Sequence, residues 1–183
     1  MRRIFLDIGA HTGETLEEVI RPIYGFDRII AFEPSSACCP ALEAIAAQDP
    51  RIEICRFGLG DGRRQLTLYG SGLDSASTLQ GDPTTSETVQ LEDASQWVRH
   101  NLTPEDLVVA KLNCEGGEIA ILQSWIKSGL LDRFYSVMIT FDIRNFPSLR
   151  QQEGQVRAQL RRLPIANTCF ADDVMIGPTH SQR

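Results

Sequence analysis

The sequence predicts an α/β fold of the Rossmann-like type, in which helices cover both faces of a doubly wound, mostly parallel sheet. Three observations support this prediction. Short apolar runs alternate with amphipathic helical segments along the chain. The run at 107–112 is apolar at nearly every position, as is usual for a strand buried on both faces. Acidic or amide residues stand at the ends of several runs, where such sheets bind ligands.

The strands are predicted from apolar runs that are bounded by turn residues or by proline. They cover residues 3–8, 28–32, 51–57, 65–69, 88–91, 107–112 and 135–141. Residues 165–170 and 174–176 are predicted to close the sheet as a hairpin. Because helical segments separate most of the strands, we expect parallel pairing with right-handed crossovers.

The helices are predicted from apolar residues that recur at helical spacing. The first ends near Pro22, which cannot continue a helix. Ser35 and Ser36 offer an N-cap for the second. The helices cover residues 13–20, 41–47, 92–100, 117–126 and 147–163.

The chain of 183 residues is expected to form a single domain, 1–183, around one core. Residues 70–87 interrupt the pattern, since they are rich in Gly, Ser, Thr and Asp and carry few large apolar side chains. A polar segment of this length is typical of a binding loop or lid, and a disordered surface excursion is the alternative.

Composition excludes several classes of function. The net charge is −6 and the basic residues do not cluster, so no nucleic acid is expected as a partner. The first apolar run has about six residues, too few for a signal peptide or a membrane span. We therefore expect a cytoplasmic protein with no membrane partner. Five cysteines without a CxxC pair, and three widely separated histidines, indicate reduced thiols and no metal site.

The turn after the first strand carries the main functional signal. Gly9 and Gly13 permit a tight turn in which the backbone approaches a ligand closely. A dinucleotide site requires the spacing G-x-G-x-x-G, whereas here the spacing is G-x-x-x-G and His11 stands between the glycines. A side chain at position 11 crowds a pyrophosphate, and the acid Asp7 suits a cationic ligand such as a sulfonium. The pattern therefore favours S-adenosylmethionine over NAD. The structural alternative for Asp7 is a cap of the turn.

Two more acids follow predicted strands. Glu33 ends the second strand, where a carboxylate accepts hydrogen bonds from both hydroxyls of a ribose. An ordinary acid before proline is the alternative. Asp61 lies in a glycine-rich turn, where it either reaches an adenine amino group or serves the turn itself.

Polar residues also leave the buried strand 107–112. Alternation along the strand places Lys111, Asn113 and Glu115 on one side, toward the predicted ligand. Since buried charges are normally paired, an ion pair of Lys111 with Glu115 or Asp7 is the structural alternative.

Three blocks resemble the FkbM family of S-adenosylmethionine-dependent methyltransferases. They are 5–14 (FLDIGAHTGE), 30–34 (IAFEP) and 111–118 (KLNCEGGE), in the order that the family shows. The resemblance implies a sheet of the class I methyltransferase type, contacts from Asp7, Gly9 and Gly13 to the methionine portion, and contacts from Glu33 to the ribose. The family commonly has Asn at position 11 and Asp at position 113. The resemblance fades after about residue 142, so 143–183 carries no acceptor prediction.

The expected reaction is transfer of a methyl group to a hydroxyl of a sugar, glycan or small metabolite. A general base assists such a step, and the candidates are Glu115, His11 and Asp142, in that order. The alternatives are a nicotinamide-dependent oxidoreductase, which the glycine spacing disfavours, and a non-catalytic module that binds S-adenosylmethionine.

Overall fold

The computed structural model describes residues 1–73, 76–79, 81, 83–141 and 146–162, and the backbone of 168–170. Its main sheet has six strands, all parallel to their neighbours. They are β1 (Arg3–Ile8), β2 (Arg28–Phe32), β3 (Ile52–Cys55), β7 (Leu107–Leu112), β8 (Phe134–Ile139) and β9 (Thr168–Phe170). The prediction of a Rossmann-like α/β fold is confirmed.

The strand order of the main sheet is β3-β2-β1-β7-β8-β9. From β1 the chain first builds outward through β2 and β3, and then returns to add β7 on the other side. The direction therefore reverses between β1 and β7, which makes their carboxyl ends the topological switch point of the sheet. In this register Asp7 stands beside Ala31 on one side and beside Lys111 on the other.

Helices cover both faces of the main sheet. The helices α1 (Glu14–Val19) and α2 (Cys39–Ala46) bury Leu16, Val19 and Leu42 against β1 and β2 on one face. The helices α3 (Ala94–Asn101), α4 (Glu118–Lys127) and α5 (Arg150–Leu160) pack on the other face, where Trp125 is fully buried. Because their apolar residues recur at helical spacing, each helix directs one side into these cores. Within the described residues, no helix is both long and apolar enough to cross a membrane.

A small second sheet contains the main difference from the predicted elements. It joins β4 (Gly58–Gly60), β5 (Arg64–Leu68) and β6 (Glu87–Asp93) in the order β4-β6-β5. We expected a turn at Gly58–Gly60, but these residues pair in parallel with β6. The glycines carry no side-chain pattern, so only this long-range pairing defines the strand.

The start of the second helix also differs from the prediction, because the helix begins two residues before position 41. It starts at Cys39 with Cys38 as the N-cap, and no side chain caps it. The prediction of Ser35-Ser36 as N-cap is wrong, because the Ser35 hydroxyl instead donates to Glu87 at 3.2 Å and the Ser36 N–H donates to the same carboxylate at 3.0 Å. The part of the predicted hairpin at 174–176 lies outside the described residues, and Thr168–Phe170 pairs in parallel with β8.

Candidate functional site

A cavity of about 420 Å³ opens at the carboxyl ends of β1, β2 and β7. This volume is in the range of small-molecule and cofactor sites, and the switch point is where this class of sheet binds ligands. The side chains around it divide into a polar group from the ends of these strands and an apolar group from the small sheet and its loop. The polar group includes His11, Glu14, Glu33, Lys111, Asn113 and Glu115, and the apolar group includes Leu59, Leu68, Leu73 and Leu91.

The turn after β1 holds the backbone against both neighbouring strands. The N–H groups of Gly9 and Ala10 both donate to the carbonyl of Phe32, at 3.1 Å each. Gly9 has φ +84°, and a Cβ atom there would overlap the carbonyl oxygen of Asn113. Gly13 has φ +102°, and a Cβ atom there would lie 2.5 Å from Ile45 Cδ1. Backbone conformation therefore favours glycine at both positions, and at Gly9 the contact with the Asn113 backbone requires it as well, whereas the Ile45 side chain next to Gly13 can move.

Glu33 presents an oriented carboxylate at the cavity wall. It is only 8% exposed, and its two oxygens accept the backbone N–H groups of His11 at 2.9 Å and Ser35 at 2.8 Å. Burial raises the pKa of Glu33, and these two hydrogen bonds act against that rise. Since a carboxylate has about four acceptor positions, each oxygen keeps capacity for a further donor such as a hydroxyl.

Asp7 and Lys111 form an ion pair behind the first turn. Lys111 Nζ lies 2.9 Å from Asp7 Oδ1 and 2.9 Å from the carbonyl oxygen of Gly9. Asp7 is fully buried, and burial raises the pKa of its carboxyl, although the charge of Lys111 lowers it. Lys111 lines the cavity, whereas Asp7 is not among the lining residues. The ion pair that sequence analysis kept as an alternative is thus present, with Asp7 as the partner.

The turn after β7 brings two predicted residues to the cavity. Asn113 lies at its wall, and Asn113 Oδ1 is buried with no hydrogen-bond partner among the described residues. Glu115 also lines the cavity and adopts the left-handed conformation at φ +49°. Glu118, fully buried at the start of α4, accepts the N–H groups of Cys114 and of Gly116, the latter at 3.0 Å. The Glu118 carboxylate therefore holds the turn that carries Glu115.

The segment 70–87 contributes to the cavity wall through Leu73, Ala76 and Thr78. Ser77 attaches it to the turn after β7, because the Ser77 hydroxyl donates to the carbonyl of Glu115 at 2.9 Å. Leu73, Ala76 and Thr78 therefore form part of the cavity wall, and the role of 70–87 as a binding loop or lid stays a prediction.

A second attachment holds the end of the same segment to the turn after β2. Glu87 Oε1 accepts hydrogen bonds from the Ser71 hydroxyl, the Ser35 hydroxyl at 3.2 Å and the Ser36 N–H at 3.0 Å. Ser77 and Glu87 organise the cavity wall but were not predicted from the sequence. The polar composition of 70–87 was the one signal for them, and it does not identify which side chains make contacts.

The predicted site residues are distributed as follows. Six line the cavity: Gly9, His11, Glu33, Lys111, Asn113 and Glu115. Asp7 and Gly13 lie behind this wall, where they support the first turn. Asp61 is not among the lining residues, and its carboxylate is exposed and 2.5 Å from Arg64. Asp142, the third candidate base, lies outside the described residues.

The arrangement fits S-adenosylmethionine. Glu33 has acceptor capacity for ribose hydroxyls, the apolar group offers a surface for a purine, and Lys111 and Asn113 offer a cation and an acceptor for an amino-acid group. Among the described residues, no group of three His, Cys, Asp or Glu side chains is placed to hold a metal ion.

The fold and the cavity together define an α/β protein of the Rossmann-like class with a candidate cofactor site at the switch point of its sheet. The family model described as the methyltransferase FkbM domain matches residues 7–164. The chain belongs to the FkbM methyltransferase family, which confirms the resemblance seen in the three sequence blocks.

Among solved structures, the chain is similar to methyltransferase FkbM from Methylobacillus flagellatus KT, with 16% sequence identity and a TM-score of 0.47. The match covers 69% of this chain and 30% of that chain, so the present chain spans less than a third of that protein's length. No curated protein matches the sequence.

Proposed function

We propose that this protein is an S-adenosylmethionine-dependent O-methyltransferase that acts on a hydroxyl of a sugar, glycan or small metabolite. The observation that carries the cofactor assignment is the Glu33 carboxylate, oriented by two backbone N–H groups at the end of β2. Its remaining acceptor positions suit the two hydroxyls of a ribose. His11 lines the cavity between Gly9 and Gly13, and a side chain at that position crowds the pyrophosphate of a dinucleotide.

The bound cofactor supplies a methyl group that its sulfonium activates for displacement. The protein then has to position an acceptor hydroxyl and remove its proton. Positioning contributes about 7–11 kcal/mol in favourable cases, and a general base contributes roughly 10²–10⁴-fold. Glu115 is our first candidate for the base, because it lines the cavity and its turn is held by Glu118 and Ser77.

Ligand binding tests the cofactor assignment. We expect S-adenosylmethionine and S-adenosylhomocysteine to raise the melting temperature, since a ligand at one hundred times its Kd stabilises by about 2.7 kcal/mol. In calorimetry, Glu33→Gln should weaken both ligands. Asp61→Asn is the matched control, and because Asp61 pairs with Arg64 away from the cavity it should leave both affinities unchanged. Stabilisation by NAD alone would contradict the proposal.

Methyl transfer tests the acceptor class. The protein is incubated with methyl-labelled S-adenosylmethionine and a panel of sugars, oligosaccharides and hydroxylated metabolites. We expect label in products that survive alkali, because methyl ethers resist hydrolysis whereas methyl esters do not. Binding of the cofactor with no transfer to any acceptor in the panel would favour a non-catalytic binding module.

A further inference from the structure

We propose that Glu87 is a positioning residue that keeps Glu33 in the orientation needed for the cofactor's ribose. In this arrangement Glu87 acts through the turn after β2 and does not touch the ligand. The inference rests on the proposed function, in which Glu33 accepts the ribose hydroxyls. It gives the small second sheet a part in cofactor binding, because Glu87 is the first residue of β6.

The direction of the Glu33 carboxylate depends on the backbone of this turn. One oxygen accepts the N–H of Ser35 at 2.8 Å, and the other accepts the N–H of His11 at 2.9 Å. A backbone N–H orients a carboxylate only where the backbone is itself held. Within the turn, the Ser35 carbonyl accepts the N–H of Cys38 at 3.3 Å, which is longer than a usual hydrogen bond of this kind. This long bond leaves room for a restraint from outside the turn.

Glu87 supplies that restraint. Its Oε1 accepts the N–H of Ser36 at 3.0 Å and the hydroxyl of Ser35 at 3.2 Å, so it holds two consecutive residues of the turn. The same oxygen accepts the hydroxyl of Ser71. Ser71 stands near the start of the segment 70–87, and Glu87 is its last residue. One carboxylate therefore joins the turn after β2 to both ends of that segment.

The charge of Glu87 strengthens these contacts. Burial by itself raises the pKa of Glu87, but the hydrogen bonds from Ser71, Ser36 and Ser35 outweigh burial and lower the pKa below the ordinary glutamate value. The side chain is therefore ionised at neutral pH. Hydrogen bonds to an ionised acceptor are shorter and stronger than those between neutral groups.

Glu87 reaches the ligand only through this chain of contacts. It is not among the residues that line the cavity, whereas Ser35 and Glu33 are. Loss of the Glu87 carboxylate releases the Ser36 N–H and the Ser35 hydroxyl, and it lets the Ser35 N–H turn away from Glu33. Glu33 then keeps its charge and its bond to His11, but it loses one of the two donors that fix the plane of its carboxylate.

The test compares two ligands that differ only in the ribose hydroxyls. S-adenosylhomocysteine has both hydroxyls, and its 2′,3′-dideoxy analogue has neither. In calorimetry we expect Glu87→Ala to weaken S-adenosylhomocysteine about tenfold and to leave the affinity for the dideoxy analogue nearly unchanged. Glu87→Gln keeps an acceptor oxygen without the charge, so its loss should be selective in the same way but smaller.

Glu92→Ala is the matched control on the same strand. Glu92 pairs with Arg63 at 3.3 Å and does not line this cavity. The control variant should therefore change the affinity for neither ligand. Together with the dideoxy analogue, it distinguishes an effect of the Glu87 carboxylate from a general loosening of β6.

A double-mutant cycle with Glu33 measures the positioning role directly. If Glu87 acts through Glu33, the loss that Glu87→Ala causes for S-adenosylhomocysteine should largely disappear in the Glu33→Gln background. A merely structural defect would add its loss to that of Glu33→Gln and would weaken both ligands. Should Glu87→Ala fail to fold, Glu87→Gln replaces it in both measurements.

The outcomes separate this inference from the proposed function. Equal losses for the two ligands in the Glu87 variants, no loss for either, or additive losses in the cycle would overturn the positioning role and leave the cofactor assignment intact. Failure of the unaltered protein to bind S-adenosylhomocysteine would overturn the proposed function and this inference with it.

Discussion

The backbones of Gly9 and Asn113 approach so closely that position 9 has no room for a side chain: a Cβ atom there would overlap the Asn113 carbonyl oxygen. The contact joins the turns after β1 and β7, which carry His11 and Glu115 to the cavity. Because the obstructing atom belongs to the backbone, a side-chain rotation cannot relieve the overlap. The two central turns of the site are therefore built around one glycine.

We expect Gly9→Ala to lower the free energy of unfolding by at least about 4 kcal/mol, or to prevent folding, as measured by denaturant titration. Gly129→Ala is the matched control, because Gly129 also has positive φ, at +63°, but a Cβ atom at this position would have no neighbouring atom within 4 Å. The control should cost only the strain of the left-handed conformation, about 1 kcal/mol. Equal costs in the two variants would contradict the overlap as the cause.

Ser77 should control closure of the cavity by the segment 70–87. Ser77→Ala removes the hydrogen bond to the Glu115 carbonyl and is expected to weaken S-adenosylhomocysteine several-fold, since such a bond contributes about 1 kcal/mol. Calorimetry measures the change. Ser86→Ala, in the same segment, removes an exposed hydrogen bond to the Pro83 carbonyl and should leave the affinity unaltered. A similar loss in both variants would count against a specific role for Ser77.

Glu115 should affect turnover more than binding. With an acceptor found in the methyl-transfer assay, Glu115→Gln is expected to lower kcat roughly 10²–10⁴-fold and to leave the affinity for S-adenosylhomocysteine nearly unchanged. Glu14→Gln is the matched control and should leave kcat nearly unchanged. Glu14 also lines the cavity, but its side chain is 69% exposed. An unchanged kcat in Glu115→Gln would remove this residue as the base.

The ion pair between Arg2 and Asp106 should make stability depend on acid pH. Arg2 donates two hydrogen bonds to Asp106 at 2.9 Å, and they lower the pKa of Asp106 to about 2. The pKa of Asp106 is thus lower in the native state than in the unfolded chain. The ion pair therefore stabilises the native state at pH values above the unfolded-state pKa of Asp106. This stabilisation is lost as the pH falls through about 2. Because Arg2 is half exposed, solvent screening reduces the effect to about 1 kcal/mol.

Asp106→Asn should therefore lower the free energy of unfolding by about 1 kcal/mol at pH 7. The difference from the unaltered protein should shrink between pH 4 and pH 2, as measured by urea titration at each pH. A difference that stayed constant across this range would show that the loss arises from packing and not from the carboxylate charge.

Much of the fold follows from local pattern. The strands that became β1, β2 and β7 were predicted because apolar runs buried on both faces differ clearly from their polar ends. The strand β4 (Gly58–Gly60) was not predicted, because it contains two glycines and one leucine and has no apolar pattern of its own. It is defined only by pairing with residues 91–93, which are more than 30 positions away. Likewise Ser35 was expected to cap a helix, but its hydroxyl donates instead to Glu87, which lies 52 positions further along the chain.

The sequence by itself determined the fold class and the family, and it predicted the candidate site at the ends of β1, β2 and β7, because these depend on residue types at fixed local spacing. Only the tertiary structure decided which polar groups face the cavity. Asp7 and Lys111 are 104 positions apart, and their pairing buries the acid and leaves the cation at the wall. Such long-range pairing is set by sheet register and burial, which no local spacing encodes.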